Sequence, residues 1–365
     1  QMSIKLARSP YIVEISVATQ TETRVKLYLW TTGSQPSDPQ YTLSKKIPAS
    51  NNVNTYYNIA PYVREYFTFG SYDYDTANFF DTATSTNFVV NYHIEKFKTI
   101  GGVESSAGTE TGQFVNGYSE YMEGQNRAHE NIFLDEGTYL YHYDSSFSTT
   151  QKNALAGSFD VEVAVGEKIR YTNLSTAATQ EFTISAAGMK VFGRVYTGNL
   201  AHGNKVEMIN ASSNVVWTGT FKPVCEPKYS PIVVDFVNKY GSWSRMFFFK
   251  VNQKTTAIKS NEYKANPQTL PYSATGDGGQ IKQFNRTGNE SIKLNSGFVN
   301  DGYAEYIQQL MLSEHVTVLD FNRNTNAFPA KVKTQSLVKQ TGLNDGTMNY
   351  TLDFEFAFDL INNVT

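Results

Sequence analysis

Residues able to bind a metal or act as nucleophiles are few in this sequence and widely spaced. The chain has one cysteine, Cys225, and no two of its histidines lie four residues apart, as the ligands of a helical zinc site do. The histidines are His93, His129, His142, His202 and His315. A metal centre built from histidine and cysteine is therefore not expected.

The motifs of nucleophilic catalysis are also missing from the sequence. Cys225 lies between Pro223 and Pro227, and the carboxylate of Glu226 beside it disfavours a reactive thiolate. No Gly-x-Ser-x-Gly motif occurs, and the glycine-rich run 276–279 lacks the lysine of a phosphate-binding loop and is interpreted as a turn. We therefore predict no catalytic, cofactor-binding or metal-binding residues, and a protein that is not an enzyme.

Paired carboxylates leave one enzymatic alternative open, the hydrolysis of a surface polysaccharide. Glycosidases hold two carboxyl groups about 5–9.5 Å apart across a sugar cleft. Asp73 and Asp75 could also contact calcium, although the twelve-residue EF-hand pattern is missing. Such pairs are common on solvated faces, which is the simpler interpretation. The pairs are Asp73/Asp75, Asp135/Glu136 and Asp353/Glu355.

The three tryptophans, Trp30, Trp217 and Trp243, suggest a second alternative. Stacked against sugar rings, they could make the chain a receptor- or glycan-binding module. Buried positions in a hydrophobic core are the other interpretation, and we favour it because large aromatic side chains are usually buried.

Composition excludes several further classes of protein. The chain has 31 Lys and Arg against 34 Asp and Glu, so it has no basic excess for nucleic-acid binding. No run of about twenty apolar residues predicts a membrane-spanning helix. The first residues lack the apolar core of a signal peptide, and a single cysteine fits folding in a reducing cytosol. Aromatic residues make up 14% of the chain, which suits both sheets and protein interfaces.

Alternating polar and apolar residues predict a mainly β fold. Tyr11 to Val17 and Val25 to Leu29 alternate, as does the segment from Met348 to Phe358, whose apolar face we expect to pack on a core. Asn300 to Ser313 is the best predicted helix, at about 301–313, and Ala60 to Tyr66 predicts a shorter one. We expect sandwich-like or barrel-like domains with a few short helices.

Three domains are predicted. The ranges are 1–150, a small middle β domain at 155–224 and a C-terminal β domain at 230–365, with Pro223, Pro227 and Pro231 at the second boundary. In the third domain, Asn238 to Gly241 predicts a hairpin turn, and 344–346 predicts another between a strand at 332–339 and the last strand. We interpret Phe67 to Phe80 as an ordered aromatic loop and Gly101 to Gly112 as a mobile loop.

Two segments of the chain resemble one another. Phe114 to Met122 reads FVNGYSEYM, and Phe298 to Ile307 reads FVNDGYAEYI. One interpretation is that the first and third domains are related by duplication. The other is chance, in a chain rich in Tyr, Asn and Gly.

Longer segments resemble a known group of proteins. The C-terminal third contains NKYGSW at Asn238–Trp243, DGYAEYIQQLMLSEHV at Asp301–Val316 and PAKVKTQSLVKQTGLNDGTMNYTLDFEFAFDLINNV at Pro329–Val364. The N-terminal run TLSKKIPASNNVNTYYNIAPYVREYF spans Thr42–Phe67. Together they resemble tail proteins of crAss-like bacteriophages that infect Bacteroides-type bacteria, especially the tail hub and its neighbours.

The resemblance covers about half of the chain and implies a role rather than a chemistry. It implies a virion structural protein of the phage tail, assembled in the host bacterial cytoplasm. Its expected partners are further copies in a ring-like homo-oligomer and other tail proteins such as ring, muzzle or fibre components. It implies no catalytic residue, no cofactor, no sequence-specific nucleic-acid contact and no membrane insertion.

Overall fold

The structure, a computed structural model, is mainly β, as the sequence predicts. It describes residues 4–48, 54–69, 82–83, 88–124, 132–146, 156–225, 228–265, 280–320, 327–339 and 347–361. The chain divides into two compact units. Unit 1 comprises Gln1–Cys225, Asp235–Met246 and Leu312–Glu314, and unit 2 comprises Glu226–Val234, Phe247–Met311 and His315–Thr365. The predicted ranges 1–150 and 155–224 both fall in unit 1, and the three-domain division stays a prediction.

The strands, in chain order, are β1 (Ile4–Leu6), β2 (Ile12–Ser16), β3 (Glu22–Trp30), β4 (Tyr41–Lys46), β5 (Asn54–Asn58), β6 (Thr82–Ala83), β7 (Val89–Ile100), β8 (Val103–Val115), β9 (Gly137–His142), β10 (Ser158–Val163), β11 (Lys168–Asn173), β12 (Thr179–Thr183), β13 (Gly188–Gly193), β14 (Asn204–Ile209), β15 (Val215–Val224), β16 (Ile232–Val237), β17 (Trp243–Phe248), β18 (Gln253–Lys264), β19 (Ile281–Asn300), β20 (Val316–Asp320), β21 (Ala327–Val332) and β22 (Thr347–Asp359). The α-helices are α1 (Ala60–Arg64) and α2 (Tyr303–Met311), and short 3-10 helices span Tyr121–Glu123 and Thr197–Asn199.

The first sheet of unit 1 has the strand order β1-β8-β7-β3-β4, and β2 pairs with β5 beside it. β1 runs parallel to the end of β8, and the other pairs are antiparallel. Alternate residues of these strands, among them Val25, Leu27 and Phe114, form a buried core. The two-residue period that predicted the strands thus also selects the buried face.

The remaining sheets of unit 1 have the orders β12-β11-β14-β15-β9 and β10-β13-β6. β9 runs parallel to β15, while β11, β12, β14 and β15 pair antiparallel. Tyr171, Val206 and Phe221 are buried on these strands. The β structure predicted for residues 155–224 is confirmed.

The largest sheet has seven strands in the order β17-β16-β20-β21-β22-β19-β18. Its strands β18 to β22 belong to unit 2, whereas β16 and β17 each have residues in both units. The predicted hairpin at Asn238 to Gly241 joins β16 to β17, and the amide of Asn238 donates to the Ser242 carbonyl at 2.8 Å. Helix α2 confirms the helix predicted at about 301–313, and it is slightly shorter than predicted at both ends. It buries Tyr303, Tyr306, Ile307 and Leu310 at helical spacing, because these positions share one face.

The apolar face of β22 is buried for most of its length, as expected. Tyr350, Leu352, Phe354 and Phe356 are buried, whereas Phe358, near the end of the strand, is exposed. Phe248 contacts Phe354 edge-on, with ring centroids 6.0 Å apart. The turn predicted at 344–346 lies outside the described residues.

Two predictions about connections are wrong. Gly101 to Gly112 is not a loop: Gly101 and Gly102 form a tight turn with φ of 58° and 82°, and β8 begins at Val103. The sequence of β8 shows no two-residue alternation of apolar residues, because most of this strand is exposed on both faces and has small polar side chains. The strand predicted for 332–339 instead ends at Val332, where the Thr334 hydroxyl accepts a hydrogen bond from the Asp353 amide.

Candidate assembly surface

The most strongly buried charges lie near the end of the β16–β17 hairpin, in unit 1. Arg245 donates from Nε and Nη2 to the two carboxylate oxygens of Asp235, at 2.7 and 2.9 Å, and both side chains are 0% exposed. A bidentate pair of this kind satisfies both charges internally. It therefore has a structural role and presents no reactive group to solvent.

Asp160 lies close to this pair within unit 1. Burial raises the pKa of Asp160 to about 6. Two neighbours oppose this rise: the Ser242 hydroxyl, which donates a hydrogen bond to the carboxylate, and the guanidinium of Arg194. Arg194 also donates to the Arg245 carbonyl at 3.0 Å. A carboxyl with a raised pKa can mark a catalytic acid, but the contacts of Asp160 and Arg194 anchor strands to one another.

The hairpin end makes further polar contacts within unit 1. The Asn238 side chain donates to the Phe133 carbonyl at 2.7 Å, and the Tyr240 hydroxyl donates to Asp135. Gly241 approaches the backbone of Asn116 so closely that a Cβ would lie 2.7 Å from its amide nitrogen. The hairpin end is thus fixed in place by contacts that require these residue types.

The carboxylate pairs considered in the sequence analysis do not come together in one site among the described residues. Asp135 and Glu136 accept hydrogen bonds from Tyr240 and the Thr218 amide, and Glu355 pairs with Lys333 at 2.9 Å. That ion pair lowers the pKa of Glu355. Asp73 and Asp75 lie outside the described residues, as do residues 70–80 of the aromatic loop predicted for Phe67 to Phe80.

Trp30, Trp217 and Trp243 belong to three different sheets, on β3, β15 and β17. Trp217 is buried and donates to the Leu134 carbonyl at 2.9 Å. Trp30 and Trp243 are half-buried, and no single sheet carries the three rings together. Among the described residues, no group of three or more His, Cys, Asp or Glu is placed to hold a metal ion.

One feature of unit 2 stands out by its exposure. β22 pairs with β19 only from Asn289 to Asn300, so the preceding part of β19 pairs with β18 alone among the described residues. We call this two-stranded projection, Lys259–Lys264 with Ile281–Thr287, the β-arm. All its side chains except that of Thr287 are exposed. An isolated two-stranded hairpin is marginally stable in water.

The β-arm carries apolar side chains on this exposed surface. Tyr263 lies opposite Lys282 and Asn261 opposite Phe284, so the two aromatic rings share one face. The rings are 5.7 Å apart and T-shaped, at 50% and 44% exposure. Ile281 is 65% exposed. Such a surface is typical of a protein interface.

The β-arm is also basic. Its positive residues are Lys259, Lys264, Lys282 and Arg286, and its one negative residue is Glu262, which accepts a hydrogen bond from Gln283. The chain as a whole has a net charge of −3. The charge of the arm is therefore opposite in sign to that of the molecule.

A second exposed apolar feature lies in unit 1, at the 3-10 helix Tyr121–Glu123. Tyr121 is 96% and Met122 91% exposed, and they are flanked by Glu120 and Glu123. We call Glu120–Glu123 the acidic knob. It is held by a capping box in which each glutamate side chain accepts the other's backbone amide. Glu123 also pairs with Lys239 at 2.7 Å.

No protein-family model matches this chain, and no curated protein matches it. The described helices are all too short or too polar to cross a membrane.

Neither the β-arm nor the acidic knob was predicted from the sequence. For the arm, the sequence signals a strand but not its exposure, because Gln253–Lys264 has strand-forming threonines, isoleucine and tyrosine. For the knob, the signal is Tyr121-Met122 between two glutamates in a segment whose counterpart, Tyr306-Ile307, is buried in α2. The two similar segments both begin in the last residues of the second strand of a long hairpin, but their duplication stays a prediction.

Proposed function

We propose that this chain is a structural component of a bacteriophage tail, a hub or ring protein that assembles as a symmetric homo-oligomer and joins neighbouring tail proteins. The resemblance to tail proteins of crAss-like phages supports the place of action, the tail of the virion. The β-arm supports the mode of action, because an exposed two-stranded projection with aromatic side chains gains stability from a partner.

The outer edge of the β-arm adds a second reason for assembly. β18 is the last strand of its sheet, so one row of its backbone groups has no neighbouring strand among the described residues. An edge of this kind accepts a strand or loop from another protein through main-chain hydrogen bonds. Ring assembly uses two different surfaces on each copy, which bind head to tail until the ring closes.

The proposal is tested by measuring the mass and shape of the purified full chain. Light scattering after gel filtration, over a wide concentration range, should give one discrete oligomer, and negative-stain electron microscopy should show rings. Antibody labelling of phage particles should locate the chain in the tail. A chain that is monomeric at every concentration and missing from the tail would rule the proposal out.

A variant without the β-arm is the matched control. Ile258 and Gly288 lie opposite each other, so residues 259–287 can be replaced by the two-residue turn Asn-Gly. We expect this variant to fold with an unchanged unfolding midpoint and to lose the oligomer. Retention of the full oligomer would show that the arm is not required for assembly.

A further inference from the structure

The β-arm and the acidic knob have complementary properties. The arm is an exposed aromatic face among four positive side chains, and the knob is an exposed Tyr121-Met122 pair between two negative ones. An apolar centre with opposite charges around it is the usual composition of a specific interface. We propose that the β-arm of one copy docks on the acidic knob of a second copy, an inference that builds on the proposed homo-oligomer.

Charge decides against the symmetric alternative. Two β-arms that paired with each other would bring Lys259, Lys264 and Lys282 against the same set in the partner copy. Like charges directly opposite one another are destabilising across strands, so the lysines of an edge strand also prevent pairing with its own copy. An acidic surface, by contrast, attracts the arm.

The knob is rigid before any partner arrives. Besides the capping box, the amide of Tyr118 donates to the Lys239 carbonyl at 2.8 Å, and the amide of Ser119 donates to the Ser9 hydroxyl at 2.7 Å. A preformed surface loses little conformational freedom on binding. Tyr121 and Met122 are thus held out toward solvent in a fixed position.

The negative character of the knob extends to its surroundings. Tyr118 is half-buried, and partial burial raises its pKa to about 12, although the positive charge of Arg8 opposes the rise. Glu120, Glu123 and Asp135 add to the rise. These three carboxylates are accompanied by two positive side chains, Lys239, which pairs with Glu123, and Arg8, which lies over the Tyr118 ring, so the excess charge of the five groups is negative. Because the arm and the knob are different surfaces, their contact is heterologous and suits a closed ring.

Disulfide trapping tests the contact directly. In a Cys225→Ser background, Asn261→Cys places a thiol on the aromatic face of the arm and Met122→Cys places one on the knob. Under mild oxidation, the double variant should form a ladder of covalent multimers, and each single variant should form no such ladder. Cross-linking of Asn261→Cys alone into dimers, without a ladder in the double variant, would overturn the proposal in favour of arm–arm pairing.

Charge removal tests the same contact by affinity. Glu120→Gln/Glu123→Gln keeps the capping oxygens but removes both charges, and should raise the concentration needed for assembly at least about tenfold and weaken its salt dependence. Glu14→Gln/Asp38→Asn, two exposed acids elsewhere in unit 1, should leave assembly unchanged. If the wild type forms rings, and both the Glu120→Gln/Glu123→Gln variant and the control assemble at the same concentration as the wild type, the proposed docking site is wrong while the proposed function stands. A wild type that never assembles would refute both.

Discussion

Two successive hairpins of this chain have opposite surroundings. β16 and β17 are buried almost throughout, whereas β18 is exposed along its whole length, with the arm part of β19 beside it. The first hairpin is fixed by internal contacts of Asn238, Tyr240 and Arg245. The β16–β17 hairpin thus contributes to folding, and we infer that the β18–β19 hairpin contributes to assembly.

The two hairpins differ in whether their charged side chains are neutralised by ion pairs within the hairpin. β16 and β17 each have a single charged residue, Asp235 and Arg245, and these neutralise one another. The β-arm has an excess of positive side chains that its own residues do not balance. Substitutions in the first hairpin should therefore change stability, and substitutions in the second should change association.

The largest expected effect is the loss of the buried ion pair. Arg245→Met leaves the Asp235 carboxylate buried without its partner, and should lower the free energy of unfolding by about 3–5 kcal/mol. Guanidinium denaturation followed by tryptophan fluorescence measures this change. Asp235→Leu/Arg245→Met, which removes both charges, should recover much of the loss. Equal stability of Arg245→Met and wild type would contradict the structural role of the pair.

The next effect is a dependence of stability on pH. Asp160 has a pKa of about 6 when folded and 3.8 as its ordinary value, so between these values the native state holds a proton that the unfolded chain has released. The free energy of unfolding therefore falls as pH rises through this window, by about 3 kcal/mol in total. Below pH 3.8 the contribution is fully present.

Asp160→Asn removes this titration while retaining an oxygen that can accept from Ser242. Denaturation of both proteins at pH 4 and pH 7.5 should show wild type losing about 2–3 kcal/mol relative to the variant, slightly less than the total because pH 4 lies just above the ordinary pKa. The same pH dependence in both proteins would show that Asp160 is charged at neutral pH without cost.

A smaller effect is expected at the turn of the buried hairpin. Gly241 has φ of 81°, and a Cβ there would lie 2.7 Å from the Asn116 nitrogen. Gly102 has nearly the same φ, 82°, with no atom within 4 Å of a Cβ. Both alanine variants incur the same backbone strain, so the excess loss in Gly241→Ala, about 1–3 kcal/mol by chemical denaturation, measures the close packing alone. Equal losses would mean that the neighbouring loop yields freely.

The sequence predicts the elements of this fold better than their surroundings. Two-residue alternation identified β2, β3 and β22, and helical spacing identified α2, because one side of each is buried. It failed for β8, where small polar residues on an exposed strand leave no period. Burial of a whole element depends on its neighbours in space, which a single sequence does not give.

The candidate site was predictable only in part. The aromatic composition of the chain indicates protein–protein interfaces, but no motif in the sequence identifies individual residues of the site. Asp235 and Arg245 had a usable signal, since each is the one charge in an apolar strand and a tight turn joins the two strands. The β-arm had none that fixes its exposure, because its polar residues are equally compatible with a strand covered on one face.

The smallest expected effect on stability is in the β-arm itself. Phe284→Ala removes an aromatic ring that is 44% exposed, and should change the free energy of unfolding by less than about 0.5 kcal/mol. Phe248→Ala, the matched change at a fully buried ring beside Phe354, should cost about 3–5 kcal/mol. Chemical denaturation of the two variants measures both values.

Association should reverse this order. Phe284→Ala removes part of the aromatic face that we infer to dock, so it should weaken the oligomer at concentrations where the monomer remains folded, as sedimentation velocity would show. If Phe284→Ala instead destabilised the monomer by several kcal/mol and left the oligomer intact, the ring would belong to the core of its own chain. The contrast between the two hairpins would then be one of degree, since both would serve folding.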